Sequence, residues 1–188
     1  QDEAREVIFN LFVATLPLVI VGFLFSDFVE TYLRDAWIVA VVSLFFGLVL
    51  GWVWLRRSKY GRQKITVRDA LFIGCAQCLA IIPGVSRSGI TITASLYLGL
   101  NIAAAIRFSF LLAVPAILGA VALGVNGLIP DSMTISYTNL LLSVSVSGFS
   151  GYFAISAFFG LIDRVGLMPF VIYRILLSLG LMALMLSS

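Results

Sequence analysis

Long runs of apolar residues, separated by short polar breaks, are the feature that most restricts how this chain can fold. A helix needs about 20 mostly apolar residues to cross the hydrocarbon core of a bilayer. Hydrophobic residues make up 61% of the chain and charged residues only 11%, whereas a soluble domain carries about a quarter charged residues. The sequence therefore predicts a membrane protein with about five spans and one shorter element. The predicted spans are residues 7–25, 36–55, 102–123, 140–159 and 168–186.

The spans are expected to be helices. Backbone groups inside hydrocarbon must be hydrogen-bonded within the protein, which permits only helices or closed barrels, and these apolar runs do not alternate as barrel strands do. We therefore expect an all-α, polytopic bundle forming a single transmembrane domain over residues 1–188. The chain begins at Gln1 without a basic n-region or a cleavage site. This predicts no signal peptide and a first residue that lies within a longer protein.

Half of the basic residues lie in one loop, residues 56–68. Lys and Arg beside membrane helices favour the cytoplasmic side, so we expect this loop to be cytoplasmic and residues 125–136, which have no Lys or Arg, to form an outer loop. The net charge of +3 is more typical of such topology signals than of nucleic-acid binding. No nucleic-acid partner is predicted.

Two shorter apolar stretches, residues 70–82 and 90–100, flank a break that begins at Pro83. Either the two halves cross the membrane together, or they form a re-entrant hairpin at 69–100 that returns to its starting side. The hairpin is favoured because it leaves Arg107 on the cytoplasmic side with the basic loop. Broken helices occur in membranes only where the exposed backbone is buried in protein or lines a wet cavity. The break therefore indicates a site.

The break holds Ser86, Arg87 and Ser88 between Gly84 and Gly89. An arginine at membrane depth is costly unless it is paired or hydrated, and its planar fork of donors matches phosphate oxygens. The start of the second half-helix adds free N–H groups and the positive end of the dipole. Serine hydroxyls add donors and candidate nucleophiles, and the glycines let a ligand approach the backbone. These features predict a phosphate site; the lysine and spacing of a Walker loop are absent.

Each of these residues also has a purely structural interpretation. Arg87 could extend its side chain toward the membrane interface, or pair with an acidic side chain in another helix, and merely hold a turn. Thr91, one turn into the half-helix, could bind substrate or bond back to a carbonyl. Cys75 and Cys78 have the spacing of a metal or redox motif, but without a second pair or a histidine they are more typical of small apolar helix residues.

Residues 74–80 (GCAQCLA) followed by 83–89 (PGVSRSG) resemble the second signature of the undecaprenyl pyrophosphate phosphatase family, which confers bacitracin resistance. Residues 108–115 (FSFLLAVP) and 169–174 (PFVIYR) resemble the later helices of that family. The resemblance implies a hydrolase of the bacterial inner (plasma) membrane. It would convert undecaprenyl, or another polyprenyl, diphosphate to the monophosphate and so recycle the lipid carrier of cell-wall peptidoglycan synthesis.

The resemblance also implies residue roles. Arg87 would hold the pyrophosphate and stabilise the transferring phosphoryl group, with Ser86 and Ser88 beside it. Gln77 falls near the place where the opposite repeat of the family carries glutamates, so it would contact substrate or a metal-bound water. The alternative for Gln77 is a polar residue that bridges helices.

Family members carry an earlier repeat of inverted topology with two glutamates, a Pro-x-Ser-Ser motif and a histidine. This chain contains no histidine and none of those motifs, so it resembles the C-terminal portion of a member. The catalytic carboxylates, and most ligands of a divalent Mg or Ca ion, would come from an N-terminal segment or a second chain. Separately, the protein could form a homodimer. These residues alone are expected to be inactive.

Two other classes of function stay open. Broken helices, inverted repeats and an anion site within the membrane are also features of transporters, so the same parts could move a polyprenyl phosphate across the bilayer. A structural subunit, in which Arg87 only fixes packing, is the third interpretation.

Overall fold

The computed structural model describes residues 2–58, 60–128 and 136–187. Within these ranges the chain is all-helical, and five of the helices contain segments long and apolar enough to cross a membrane. This confirms the predicted polytopic helical bundle. The helices are α1 (Asp2–Tyr32), α2 (Ala36–Arg56), α3 (Val67–Cys78), α4 (Arg87–Tyr97), α5 (Ile102–Leu128), α6 (Tyr137–Val165) and α7 (Met168–Ser187). The candidate spans are Asp2–Phe25, Ala36–Arg56, Ile102–Gly119, Tyr137–Ile162 and Met168–Ser187.

Two helices are longer than the sequence predicted. The first predicted span ends at residue 25, as the candidate span of the structure does, but the polar residues that follow continue α1 to Tyr32. Polar residues end the apolar part of a helix without ending the helix itself, and no Gly or Pro interrupts this segment. Similarly, α5 continues to Leu128, and most of the predicted outer loop, residues 129–135, lies outside the described residues.

The two short helices form a hairpin. α3 is followed by a 3₁₀ turn (Leu79–Ile81), the chain breaks, and α4 packs back against α3. α3 begins with a capping box, in which the Asp69 N–H donates to the Thr66 hydroxyl (3.3 Å) and the Thr66 N–H donates to the Asp69 carboxylate (2.8 Å).

The outer ends of this hairpin are bonded to each other through Arg62. The Arg62 N–H donates to the Gly99 carbonyl (3.0 Å), and the Asn101 N–H donates to the Arg62 carbonyl (2.9 Å). The Arg62 guanidinium also binds the Asp69 carboxylate (2.6 Å) and the Leu98 carbonyl (3.2 Å). Because the residues before α3 and after α4 lie side by side, the hairpin enters and leaves the bundle at the same end.

α4 lies between the two hydrophobic clusters of the bundle, and every residue from Gly89 to Leu96 is buried. One cluster joins α4 to α2, α5 and α7 and includes Leu50 and Ile92. The other joins it to α1, α3 and α5 and includes Ile73. A short helix enclosed in this way holds the break at its N-terminus against the bundle; Val85 is fully buried and the residues on either side of it, 81–84 and 86–88, are half-buried.

Candidate functional site

The break between α3 and α4 has an unusual backbone. Gly84 has a φ of 98° and Ser86 a φ of 69°, a left-handed conformation that residues other than glycine rarely adopt. The Ser86 hydroxyl accepts a hydrogen bond from the Gly89 N–H (3.2 Å), which makes Ser86 the N-cap of α4. Strained residues held by surrounding structure cluster at functional sites. The conformation places Arg87 and Ser88 in the first turn of α4.

Arg87 and Ser88 face a cavity of 340 Å³. Its wall also contains the Ser109 side chain from α5, and it is otherwise apolar. The first backbone hydrogen bond of α4 runs from the Ile90 N–H to the Ser86 carbonyl. The N–H groups of Arg87 and Ser88 come before this bond, so neither is used by the backbone hydrogen bonds of the helix. The cavity thus brings together one arginine, two serines and the N-terminus of a helix. The residues on its wall are Ala80, Arg87, Ser88, Ser109, Phe110 and Ala113.

Arg87 is half-buried, and among the described residues its guanidinium has no hydrogen bond and no ion pair. It also lines a second cavity of 140 Å³ between α1 and α5, whose wall includes Leu18, Val19 and Ala116. Within the described part of the chain, this positive charge lacks the acidic partner that one of the two structural interpretations of Arg87 requires. The charge is therefore available to an anion in the cavity.

Thr91 lies behind the cavity wall. It is 1% exposed, and its hydroxyl bonds to the Arg87 carbonyl (2.9 Å) and to the Ser109 hydroxyl (2.6 Å). This hydrogen bond from Thr91 to a carbonyl of its own helix is the structural alternative to substrate binding that the sequence analysis left open. The link to Ser109 fixes the position of that hydroxyl on the wall, so Thr91 supports the cavity whether or not it meets a ligand. Sequence reasoning did not single out Ser109, because one serine in an apolar helix carries little signal.

Gln77 is fully buried in α3, and neither polar atom of its amide has a hydrogen-bond partner among the described residues. A buried amide without partners is costly, so this position calls for an additional polar group or water. Gln77 is not part of the cavity wall. Its predicted contact with substrate or metal-bound water, like the substrate-binding roles of Gly84, Gly89 and Thr91, stays a prediction.

The sequence analysis assigned no site role to Arg174, and the structure places its side chain at the break. Its side chain is 5% exposed and reaches from α7 to the break, where Nη2 donates to the Gly84 carbonyl (2.6 Å). The available signal was a charge within the apolar run that begins at Met168. Periodicity alone could not pair it with Gly84, which lies 90 residues away in the chain.

The described residues do not fit a metal site by themselves. No group of three or more His, Cys, Asp or Glu side chains in these ranges could hold an ion, and the cavity wall carries no carboxylate. Cys75 and Cys78 are free thiols. The predicted divalent ion, with most of its ligands outside this segment, stays a prediction.

Comparison with known proteins agrees with the motif at the break. The family model of the bacitracin resistance protein BacA matches residues 1–180. A curated relative, the undecaprenyl-diphosphatase of Chromohalobacter salexigens, is 44% identical over 171 residues, which is 90% of this chain and 64% of the relative. The chain therefore spans somewhat less than two thirds of the length of that relative. A family match over nearly the whole chain confirms the resemblance found at residues 74–89: the chain belongs to the bacitracin resistance protein BacA family.

Proposed function

We propose that the protein hydrolyses undecaprenyl diphosphate, or a similar polyprenyl diphosphate, to the monophosphate. The observation that carries the proposal is Arg87, which lies half-buried at the start of α4, without an acidic partner among the described residues, on a cavity shared with Ser88 and Ser109. Membership of the family and a 44% identical relative named undecaprenyl-diphosphatase support the same substrate.

In this proposal Arg87 binds the diphosphate through paired N–H donors and stabilises the charge that develops on the transferring phosphoryl group. The free N–H groups at the start of α4 also stabilise the bound diphosphate, because the N-terminus of a helix attracts anions. A nucleophilic oxygen attacks the terminal phosphorus, the bond to the bridging oxygen breaks, and the polyprenyl monophosphate leaves. The Ser88 hydroxyl either positions a water molecule as that nucleophile, which releases inorganic phosphate directly, or is itself the nucleophile, in which case water must then hydrolyse the phosphoserine to release the phosphate.

The cavity wall lacks a group that could accept the proton of the nucleophile, since its side chains are Arg, Ser, Ala and Phe only. We infer that a carboxylate, and a divalent ion with most of its ligands, come from an N-terminal segment or a second chain. Such an ion would polarise the phosphoryl oxygens. The 188 residues alone are therefore expected to lack hydrolase activity.

The surroundings of the site suit a lipid substrate. The second cavity extends from Arg87 along apolar residues of α1 and α5, and we propose that the polyprenyl chain follows this direction while the head group stays at α4. The site would then lie within the inner membrane of a bacterium. The basic loop at 56–68, next to the outer ends of the hairpin, would face the cytoplasm.

The proposal is tested with the protein produced from its complete gene and purified in detergent, by measuring phosphate released from undecaprenyl diphosphate. Arg87→Met removes the charge and is expected to lower kcat/KM by about 100 to 1000-fold, the loss typical of one donor aimed at a transition state. Arg164→Met, which alters an exposed arginine at the end of α6, serves as the matched control and is expected to keep full activity.

Arg87→Lys separates charge from geometry. Lysine keeps the charge but not the planar fork, so we expect activity between those of the wild type and Arg87→Met. Equal activity in the wild type and Arg87→Met would refute the proposed role of Arg87. If the wild type instead moves polyprenyl monophosphate across liposomes without releasing phosphate, the protein is a transporter and the hydrolase proposal is wrong.

A further inference from the structure

Arg174 joins three parts of the bundle that are distant in sequence. It lies on α7, and its Nη2 atom donates to the Gly84 carbonyl (2.6 Å) in the break. The same atom lies 3.4 Å from the Ser43 carbonyl and 3.5 Å from the Ser43 hydroxyl on α2. Gly84 is one of the two positive-φ residues that shape the break. Arg174 therefore fixes the backbone immediately before Ser86 and Arg87.

Gly89 provides the space for this guanidinium, while Gly47 packs at ordinary contact distance against the base of the side chain. A Cβ atom built on Gly47 would lie 3.5 Å from the Arg174 Cβ atom, and one built on Gly89 would lie 2.9 Å from Arg174 Nη1 and 3.1 Å from the Ser86 hydroxyl. The Nη1 atom is thus next to the first turn of α4. A side chain at position 89 would displace either the guanidinium or the cap of α4.

The charge of Arg174 is not balanced within the described part of the chain. Its Nη1 atom is buried without a hydrogen-bond partner, and none of the ion pairs recorded there includes it. Removing a charge from water without a partner is expensive. The break thus has positive charge on both sides, with Arg87 at the cavity and Arg174 behind the start of α4. A bound anion with more than one negative charge would balance both.

We propose that Arg174 is a positioning residue of the phosphate site. It holds the Gly84 carbonyl so that Arg87 and Ser88 face the cavity, and its charge raises the affinity of the α4 N-terminus for a diphosphate. This inference rests on the proposed function for the identity of the anion. Because the Nη1 atom of Arg174 is buried, the side chain does not need to contact the substrate. It acts by holding the Gly84 backbone and by making the electrostatic potential at the start of α4 more positive.

The test uses the protein produced from its complete gene and compares Arg174→Met, Arg174→Lys and the matched control Arg164→Met. Two readouts are measured per amount of folded protein: kcat and KM for the polyprenyl diphosphate, and the rise in Tm caused by inorganic pyrophosphate. For Arg174→Met we expect KM to rise about 10-fold and kcat to fall about 100-fold, because charge and geometry are lost together. The stabilisation by pyrophosphate is expected to disappear.

Arg174→Lys keeps the charge but cannot hold Gly84 and α2 together. We expect its KM and its stabilisation by pyrophosphate to stay close to those of the wild type while kcat falls about 10-fold. This split between KM and kcat is not expected from a residue that serves packing alone. If Arg174→Met does not fold, Arg174→Lys still decides the question.

The two proposals fail in different ways. If the wild type hydrolyses the diphosphate and both Arg174 variants match Arg164→Met in kcat, KM and pyrophosphate stabilisation, the positioning role is overturned and the proposed function stands. If the wild type is stabilised by pyrophosphate but releases no phosphate from the lipid, the hydrolase proposal fails. In that case, the role of Arg174 is still supported if Arg174→Met loses the stabilisation by pyrophosphate while Arg174→Lys and Arg164→Met keep it.

Discussion

Replacing Asp69 with asparagine removes the charge that ties the two outer ends of the hairpin together. The Asp69 carboxylate accepts hydrogen bonds from the Arg62 guanidinium (2.6 Å) and from the N–H (2.8 Å) and hydroxyl (2.7 Å) of Thr66. Arg62 in turn binds the Leu98 carbonyl beyond α4 (3.2 Å). Asparagine keeps the shape of the side chain but loses the charge-assisted bond. We therefore expect the variant to loosen the hairpin without changing the bundle.

The size of the effect follows from the acidity of Asp69. The hydrogen bond from Arg62, followed by those from Thr66, lowers the pKa of Asp69 from 3.8 to about 2, against the opposing effect of burial. That difference corresponds to about 2 kcal/mol. Because the Arg62 side chain is 41% exposed, water screens the pair, and we expect Asp69→Asn to lower the free energy of unfolding by about 1 to 2 kcal/mol. For a chain of this size the Tm falls by about 2 to 8 °C.

The dependence on pH has a definite sign. A carboxylate whose pKa is lower in the folded state stabilises the protein above its unfolded pKa and loses this contribution as the pH falls. The difference in Tm between the wild type and Asp69→Asn is therefore expected to be full at neutral pH and to shrink as the pH falls from about 4 to about 2.

Thermal unfolding in detergent, followed by circular dichroism, measures these differences. A double-mutant cycle of Arg62→Met, Asp69→Asn and the double variant isolates the coupling between the two side chains. Glu6→Gln is the control, because the pair of Lys64 with Glu6 has side chains that are 75% and 55% exposed and is expected to leave the Tm unchanged. A coupling energy indistinguishable from zero, or a Tm loss in Asp69→Asn no larger than in Glu6→Gln, would refute the reasoning.

Three further substitutions test the packing around the site, each by its Tm in detergent. Gly74→Ala places a methyl group against a backbone carbonyl of α1, so α1 and α3 must separate. We expect the free energy of unfolding to fall by about 1 to 3 kcal/mol. An unchanged Tm would contradict the close contact between α1 and α3. Gly166→Ala is expected to cost at least as much, because its φ is 72° and the methyl group would overlap the Trp54 ring. Gly180→Ala, where nothing lies within 4 Å, controls for both and should not lower the Tm. Thr91→Val removes a buried hydroxyl that bonds to α5 and is expected to cost about 1 to 2 kcal/mol; a loss no greater than in Gly180→Ala would exclude this bond.

The sequence by itself determined the class of fold, the number of candidate spans and the position of the break. These properties depend on local composition: apolar length decides which segments can cross lipid, and Pro83 with Gly84 ends a helix whatever surrounds it. The caps at Thr66 and Asn101 were predictable for the same reason, since a cap bonds to its own next turn; the Asn101 side chain accepts from the Ala104 N–H (2.8 Å). The family motif at residues 74–89 is equally local.

Only the tertiary structure decided which distant groups meet at the break. Arg174 and Gly84 are 90 residues apart, and Ser109 and Thr91 lie on different helices, so hydropathy gave no means of pairing them. In an apolar helix every face is compatible with either lipid or protein, and the sequence therefore does not reveal which way a single arginine points. Packing turned Arg174 inward, where its Nη2 atom donates to the Gly84 carbonyl of the break and its guanidinium lies against Gly89.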